Sequence, residues 1–70
     1  MGIHFNANKV GELIKERGLK VGYIVKQLET SWTTFGRWMK EETPIPFVKA
    51  VELAKLLKCD INDLYKEENK

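Results

Sequence analysis

Residues 18–46 read GLKVGYIVKQLETSWTTFGRWMKEETPIP, and two short helical patterns meet inside this stretch across the polar turn Glu29-Thr30-Ser31. The first carries Ile24, Val25 and Leu28 at the spacing of one helix face. Thr30 or Ser31 can cap the second, which runs over residues 32–39. That second pattern places Phe35, Trp38 and Met39 on one side and Thr33, Gly36 and Arg37 on the other. Gly18 opens the stretch as a helix stop. Pro44 and Pro46 close it, because each pushes the residue before it out of the helical region, so residues 40–46 read as a loop. Two short helices around a three-residue turn, the second apolar on one side only, make a helix-turn-helix plan.

Working outward, an N-terminal helix is capped by Asn6 or Asn8 and runs to Arg17, with Val10, Leu13 and Ile14 as its buried stripe. Lys9, Glu12, Lys15 and Glu16 take its solvent side. Beyond the loop, the strongest periodicity in the chain predicts a fourth helix over residues 46–58, burying Phe47, Ala50, Val51, Leu53, Ala54 and Leu57. Asp60, with Asp63 three residues on, caps a last short helix whose Ile61 and Leu64 fold onto the core. Residues 66–70 read as a polar tail. No repeat, low-complexity segment or scorable strand alternation interrupts this order. The expectation is one all-α domain over residues 1–70, a five-helix bundle.

Bulk composition narrows the function. With 70 residues, 43% hydrophobic and 31% charged, the chain is one globular domain, which buries only about 60% of the surface its unfolded form exposes. Such a core leaves little room for an enclosed active site, so neither an enzyme nor a small-molecule substrate is expected. The single Cys59 excludes an intramolecular disulfide and a thiolate metal cluster, which fits a reducing, cytoplasmic setting. His4 reads as a surface residue with no second His to make a metal site, and Cys59 as a core thiol. No signal peptide, myristoylation motif or membrane span is expected, and no cofactor. The net charge of +2 says little by itself. Its distribution says more: residues 1–17 carry three basic and two acidic groups, residues 18–40 four and one, and residues 41–70 five and seven. Positive charge therefore concentrates on the helix pair.

Residues 18–46, together with VELAKLLKCDINDLY at 51–65, resemble the Cro/CI-type helix-turn-helix family, also called the xenobiotic-response-element family. The likeness rests on Glu-Arg-Gly-Leu closing the first helix, Leu-Ala-Lys-x-Leu in the fourth, and Asp-Ile-Asn-Asp-Leu at the end. It implies a lambda-repressor-like bundle whose third helix lies in the major groove of double-stranded operator DNA, cytoplasmic and often as a homodimer on twofold sites. The base-facing positions carried over are Trp32, Thr33, Gly36 and Arg37, and the phosphate contacts Lys20, Lys40 and Thr43. No long apolar face is left over in the sequence to name as a dimer interface. The chain departs from the family pattern where Lys20 and Val21 replace a Ser or Thr followed by Gln, Val25 replaces Ala, Glu29 replaces Gly, and Glu42 replaces Lys.

Each residue also has a plainer role. Arg37 is the one side chain of the third helix suited to a bidentate guanine contact, and its alternative is an ion pair with Glu41 one turn on. Trp32 falls about 60° from Phe35 around the helix, so it either widens the core or anchors a partner. Gly36 costs about 1 kcal/mol against Ala in a helix, which suggests close approach of another surface or plain drift. Two functions follow: a transcriptional regulator of a phage or mobile-element switch acting on DNA, or an antirepressor that presents the same region to a helix-turn-helix repressor protein. The second resembles the small modulator-of-repression proteins of temperate phages, and Trp32, Gly36, Glu29 and Glu42 suit it.

Overall fold

A computed structural model describes residues 2–68, and its first and last elements are strands rather than helix or tail. In order they are β1 (Gly2–Phe5), α1 (Ala7–Glu16), α2 (Val21–Gln27), α3 (Trp32–Met39), α4 (Phe47–Leu57), a 3-10 turn (Ile61–Leu64) and β2 (Tyr65–Glu68). The expected five-helix all-α bundle is thus replaced by four α-helices and a two-stranded antiparallel sheet. A 3-10 turn takes the place of the fifth helix, and the expected polar tail is strand through Glu68. Residues 69 and 70 of that tail lie outside the described residues.

The physical reason for the correction is contact between the two ends of the described chain. Gly2 pairs with Glu68, Ile3 with Glu67, His4 with Lys66 and Phe5 with Tyr65. The ladder runs on into a hydrogen bond from the Asn6 N–H to the Leu64 carbonyl at 2.7 Å. Phe5 is buried and meets Tyr65 edge to face, ring centroids 6.0 Å apart. Four-residue strands hold only when a neighbour supplies ladder partners and apolar cover. That neighbour lies some sixty residues away in sequence, so no local pattern announces it.

The helices follow local chemistry closely. Asn6 caps α1, its side chain accepting from the Lys9 N–H at 3.2 Å, and Val10, Leu13 and Ile14 are buried. Gly18 ends that helix at φ 67°, a left-handed conformation that only glycine adopts without strain. Ser31 caps α3, accepting from the Thr34 N–H at 3.1 Å. Glu29 and Glu41 follow α2 and α3 at φ 54° and 60°, each taking the left-handed position usually filled by glycine.

One core joins these pieces. Ile24, Leu28, Leu53, Leu57, Leu64 and Val10 have no exposed surface to speak of, and Phe35 and Trp38 lock α3 onto them. Removing a side chain of this kind costs about 2–5 kcal/mol. Two long cations tie helix ends together. The Arg17 Nε donates to the Leu57 carbonyl at 2.8 Å, and the Lys49 Nζ donates to the Leu28 carbonyl while lying 3.7 Å from Glu52. A cation at helix C-terminal carbonyls is favourable on dipole grounds as well.

The expectation for α4 needs a correction at its start. Ala50, Leu53, Ala54 and Leu57 are buried as read, but Phe47 is 72% exposed and Val51 is only partly covered. Phe47 lies within about 20° of Ala54 around the helix. It shares the direction of the buried Ala54 yet has little of the described chain lying over it.

Candidate nucleic-acid interface

The outer face of α3 is set by which residues its inner face consumes. Phe35 and Trp38 pack inward, edge to face with centroids 6.1 Å apart. The 100° step per residue then turns Thr33 and Arg37 about 160° away from Phe35. Both are exposed, Lys40 is exposed at the C-cap, and Gly36 between them is half-buried. A side chain added at Gly36 would meet nothing within 4 Å, so no contact among the described residues explains the glycine.

Trp32 lies at the edge of that face, 64% exposed. Its ring rests against α2 over Gly22, where an added Cβ would come 3.3 Å from Trp32 Cζ2. The indole therefore bridges the start of α3 and the first turn of α2 without entering the core. Tyr23, the next residue of α2, is 48% exposed.

The face is cationic. No carboxylate lies on α3 or α2, and Lys20, Lys26, Arg37 and Lys40 are all exposed. Arg37 takes no part in the ion pairs of the described residues, so the pair with Glu41 is not formed. Arg17 and Lys49, by contrast, are held by backbone carbonyls and are not free for a ligand. The acids nearest in sequence, Glu29, Glu41 and Glu42, sit in the turns that follow each helix and are exposed.

The positions expected to touch phosphate do not all gather here. Lys20 caps α2 and Lys40 caps α3, so each belongs to the helix pair. Thr43 lies elsewhere. It lines a cleft of about 300 Å³ together with Ile3, His4, Phe5, Glu41, Pro44, Ile45 and Tyr65. This cleft, between the sheet and the loop of residues 40–46, was invisible in the sequence because β1 was. Phe47, read as buried, and Val48, left unassigned, are both exposed. The arc from Leu53 to Ala54 around α4 covers only about 100°, and Val48 falls well outside it.

Little else offers chemistry. Among the described residues no group of three or more His, Cys, Asp or Glu is placed to hold a metal ion. Burial, followed by the charge of Asp63, pushes the Cys59 thiol above its ordinary value against the opposing pull of Arg17, the reverse of what an activated nucleophile needs. No helix among the described residues is long and apolar enough to cross a membrane. No known family, curated protein or solved structure matches the chain.

Proposed function

We propose that the chain is a small helix-turn-helix transcriptional regulator, acting in the cytoplasm on a phage or mobile-element switch, that binds double-stranded operator DNA through α3. The observation that carries this reading is the outer face of α3, where Thr33 and Arg37 stand exposed beside Gly36 with no carboxylate on the helix. An Arg projecting from a groove-sized helix suits the O6 and N7 acceptors of guanine, and Thr suits either a hydrogen bond or a thymine methyl. Gly36 lets a base edge or sugar approach the helix backbone. Lys20 and Lys40, at the ends of the pair, supply phosphate neutralisation. The resemblance to Cro/CI-type domains points the same way.

The test is fluorescence anisotropy with fragments of the neighbouring regulatory DNA over a salt series. Affinity falling steeply with salt, with Arg37→Ala losing preference between sequences, is the expected result. Absence of binding to every fragment at low salt overturns it.

One observation favours a second reading, in which the same face meets a protein. Trp32 is 64% exposed, and an indole is a poor reader of base edges but a frequent anchor of protein interfaces. Here the chain is an antirepressor that binds a helix-turn-helix repressor, with the exposed acids Glu29 and Glu42 facing that repressor's basic surface. A one-to-one complex with the neighbouring repressor that is lost in Trp32→Ala is the expected outcome; a complex indifferent to the change counts against it.

A further inference from the structure

The open edge of β1 is self-complementary in its backbone hydrogen-bonding groups. In an antiparallel pair, residues alternate between those that exchange hydrogen bonds with the partner strand and those whose N–H and C=O point away. The bond from Asn6 N–H to Leu64 O fixes the phase: with the register Phe5 to Tyr65 and His4 to Lys66, the even residues of β1 face β2. The N–H and C=O groups of Ile3 and Phe5 therefore point out from the open edge.

The two edges of the sheet are not alike. β2 carries the exposed Lys66 and Glu67, the kind of charged edge that resists strand addition, whereas β1 reads Gly-Ile-His-Phe with Ile3 73% exposed. Ile3 and Phe5 lie on one face of the sheet. Both line the cleft of about 300 Å³, which His4, Glu41, Thr43, Pro44 and Ile45 also line.

We propose that β1 pairs antiparallel with β1 of a second copy of this chain, Ile3 of each seated beside Phe5 of the other at the mouth of the cleft. Only registers that set odd residues against odd residues use the open groups. The one centred on His4 pairs Ile3 with the partner's Phe5 and Phe5 with the partner's Ile3, satisfying every outward N–H and C=O of both residues. His4 then meets the partner's His4 across the twofold axis as a non-hydrogen-bonded pair. The result is a four-stranded sheet in the order β2, β1, β1, β2.

A stable interface removes about 800 Å² from each partner, roughly a sixth of the 4989 Å² this chain exposes. A four-residue edge falls short of that alone. Ile3 and Pro44, both exposed and both lining the cleft, add apolar area beside the edge.

The test combines mass and register. Sedimentation of the full chain at high concentration is expected to give twice 8.1 kDa. Ile3→Pro removes an N–H that β2 does not use, and proline is tolerated on such an edge, so this variant should keep its circular dichroism and be wholly monomeric. In a Cys59→Ala background, His4→Cys should give a disulfide-linked dimer under mild oxidation, because non-hydrogen-bonded partners lie about 4.5 Å apart at Cα, within disulfide reach. Thr33→Cys should not. A wild-type mass of one chain up to the solubility limit, a folded Ile3→Pro that still dimerises, or equal cross-linking at residues 4 and 33 overturns the proposal. None of these outcomes depends on whether α3 binds DNA.

Discussion

The outer face of α3 and the open edge of β1 differ in nearly every physical respect. The first presents side-chain donors on a rigid helix, with Lys40 at its C-terminal end, Lys20 at the start of the neighbouring α2 and a single large exposed apolar group, Trp32. The second presents backbone donors and acceptors in a row, beside the exposed Ile3 and Pro44. Charge at the surface of a rigid helix suits a polyanion, whose affinity is dominated by counterion release. Unpaired backbone beside apolar surface suits another chain, whose affinity comes from ladder bonds and burial. The two need not compete, because the residues that build one are absent from the other.

The largest effect is expected where the α3 face is held up from below. Trp38→Ala, at a position 4% exposed, should lower stability by about 3–5 kcal/mol in a denaturant titration, loosening α3 from the core. A loss under 1 kcal/mol would mean that α3 is not anchored as described.

Next comes the separation of the two surfaces by function. Arg37→Ala should weaken binding to a preferred DNA sequence by about 1–3 kcal/mol, measured by anisotropy, and leave the sedimentation behaviour unchanged. Ile3→Pro should abolish the dimer and leave the preference between DNA sequences unchanged. If Arg37→Ala also dissolves the dimer, or Ile3→Pro also loses the sequence preference, the surfaces are one.

Gly36→Ala sharpens the meaning of the α3 face further. Open space at this position predicts a gain of about 1 kcal/mol in thermal or chemical unfolding, together with weaker DNA binding if the helix backbone is closely approached. Stabilisation with unaltered binding would make the glycine incidental. Glu29→Gly relieves a left-handed non-glycine residue at φ 54° and should stabilise by about 0.5–1 kcal/mol.

The smallest effect concerns pH. The Cys59 thiol is raised mainly by burial, so its folded value lies above its unfolded one. The neutral thiol is favoured by folding, and this contribution is full below the unfolded value and lost as pH rises through the folded one. Cys59→Ala should therefore flatten a shallow fall in stability at alkaline pH, and the native thiol should alkylate more slowly at mildly alkaline pH than after unfolding.

The caps and turns of the helical middle were legible because they are local. Asn6, Gly18 and Ser31 act within four residues of themselves, and the inner residues of α1, α3 and most of α4 follow from periodicity alone. The outward placement of Thr33, Gly36 and Arg37 was legible for the same reason. Trp32 was not, since whether its ring enters the core or lies over Gly22 depends on how α2 meets α3. Phe47 misled because periodicity gives the direction of a side chain but not whether anything lies opposite it.

By itself the sequence determined the four α-helices, their order, the inner and outer faces of α3, and the charge that gathers on the helix pair. All of these rest on interactions spanning a turn or two of chain. Only the tertiary structure decided that the two ends of the described chain pair as strands, that a 3-10 turn delivers Leu64 to the core, and that Ile3, Phe47 and Val48 remain outside it. Strand pairing across about sixty residues depends on ladder partners and apolar cover that exist only once the helices have packed, so segments as short as Gly2–Phe5 and Tyr65–Glu68 carry too little local preference to declare themselves.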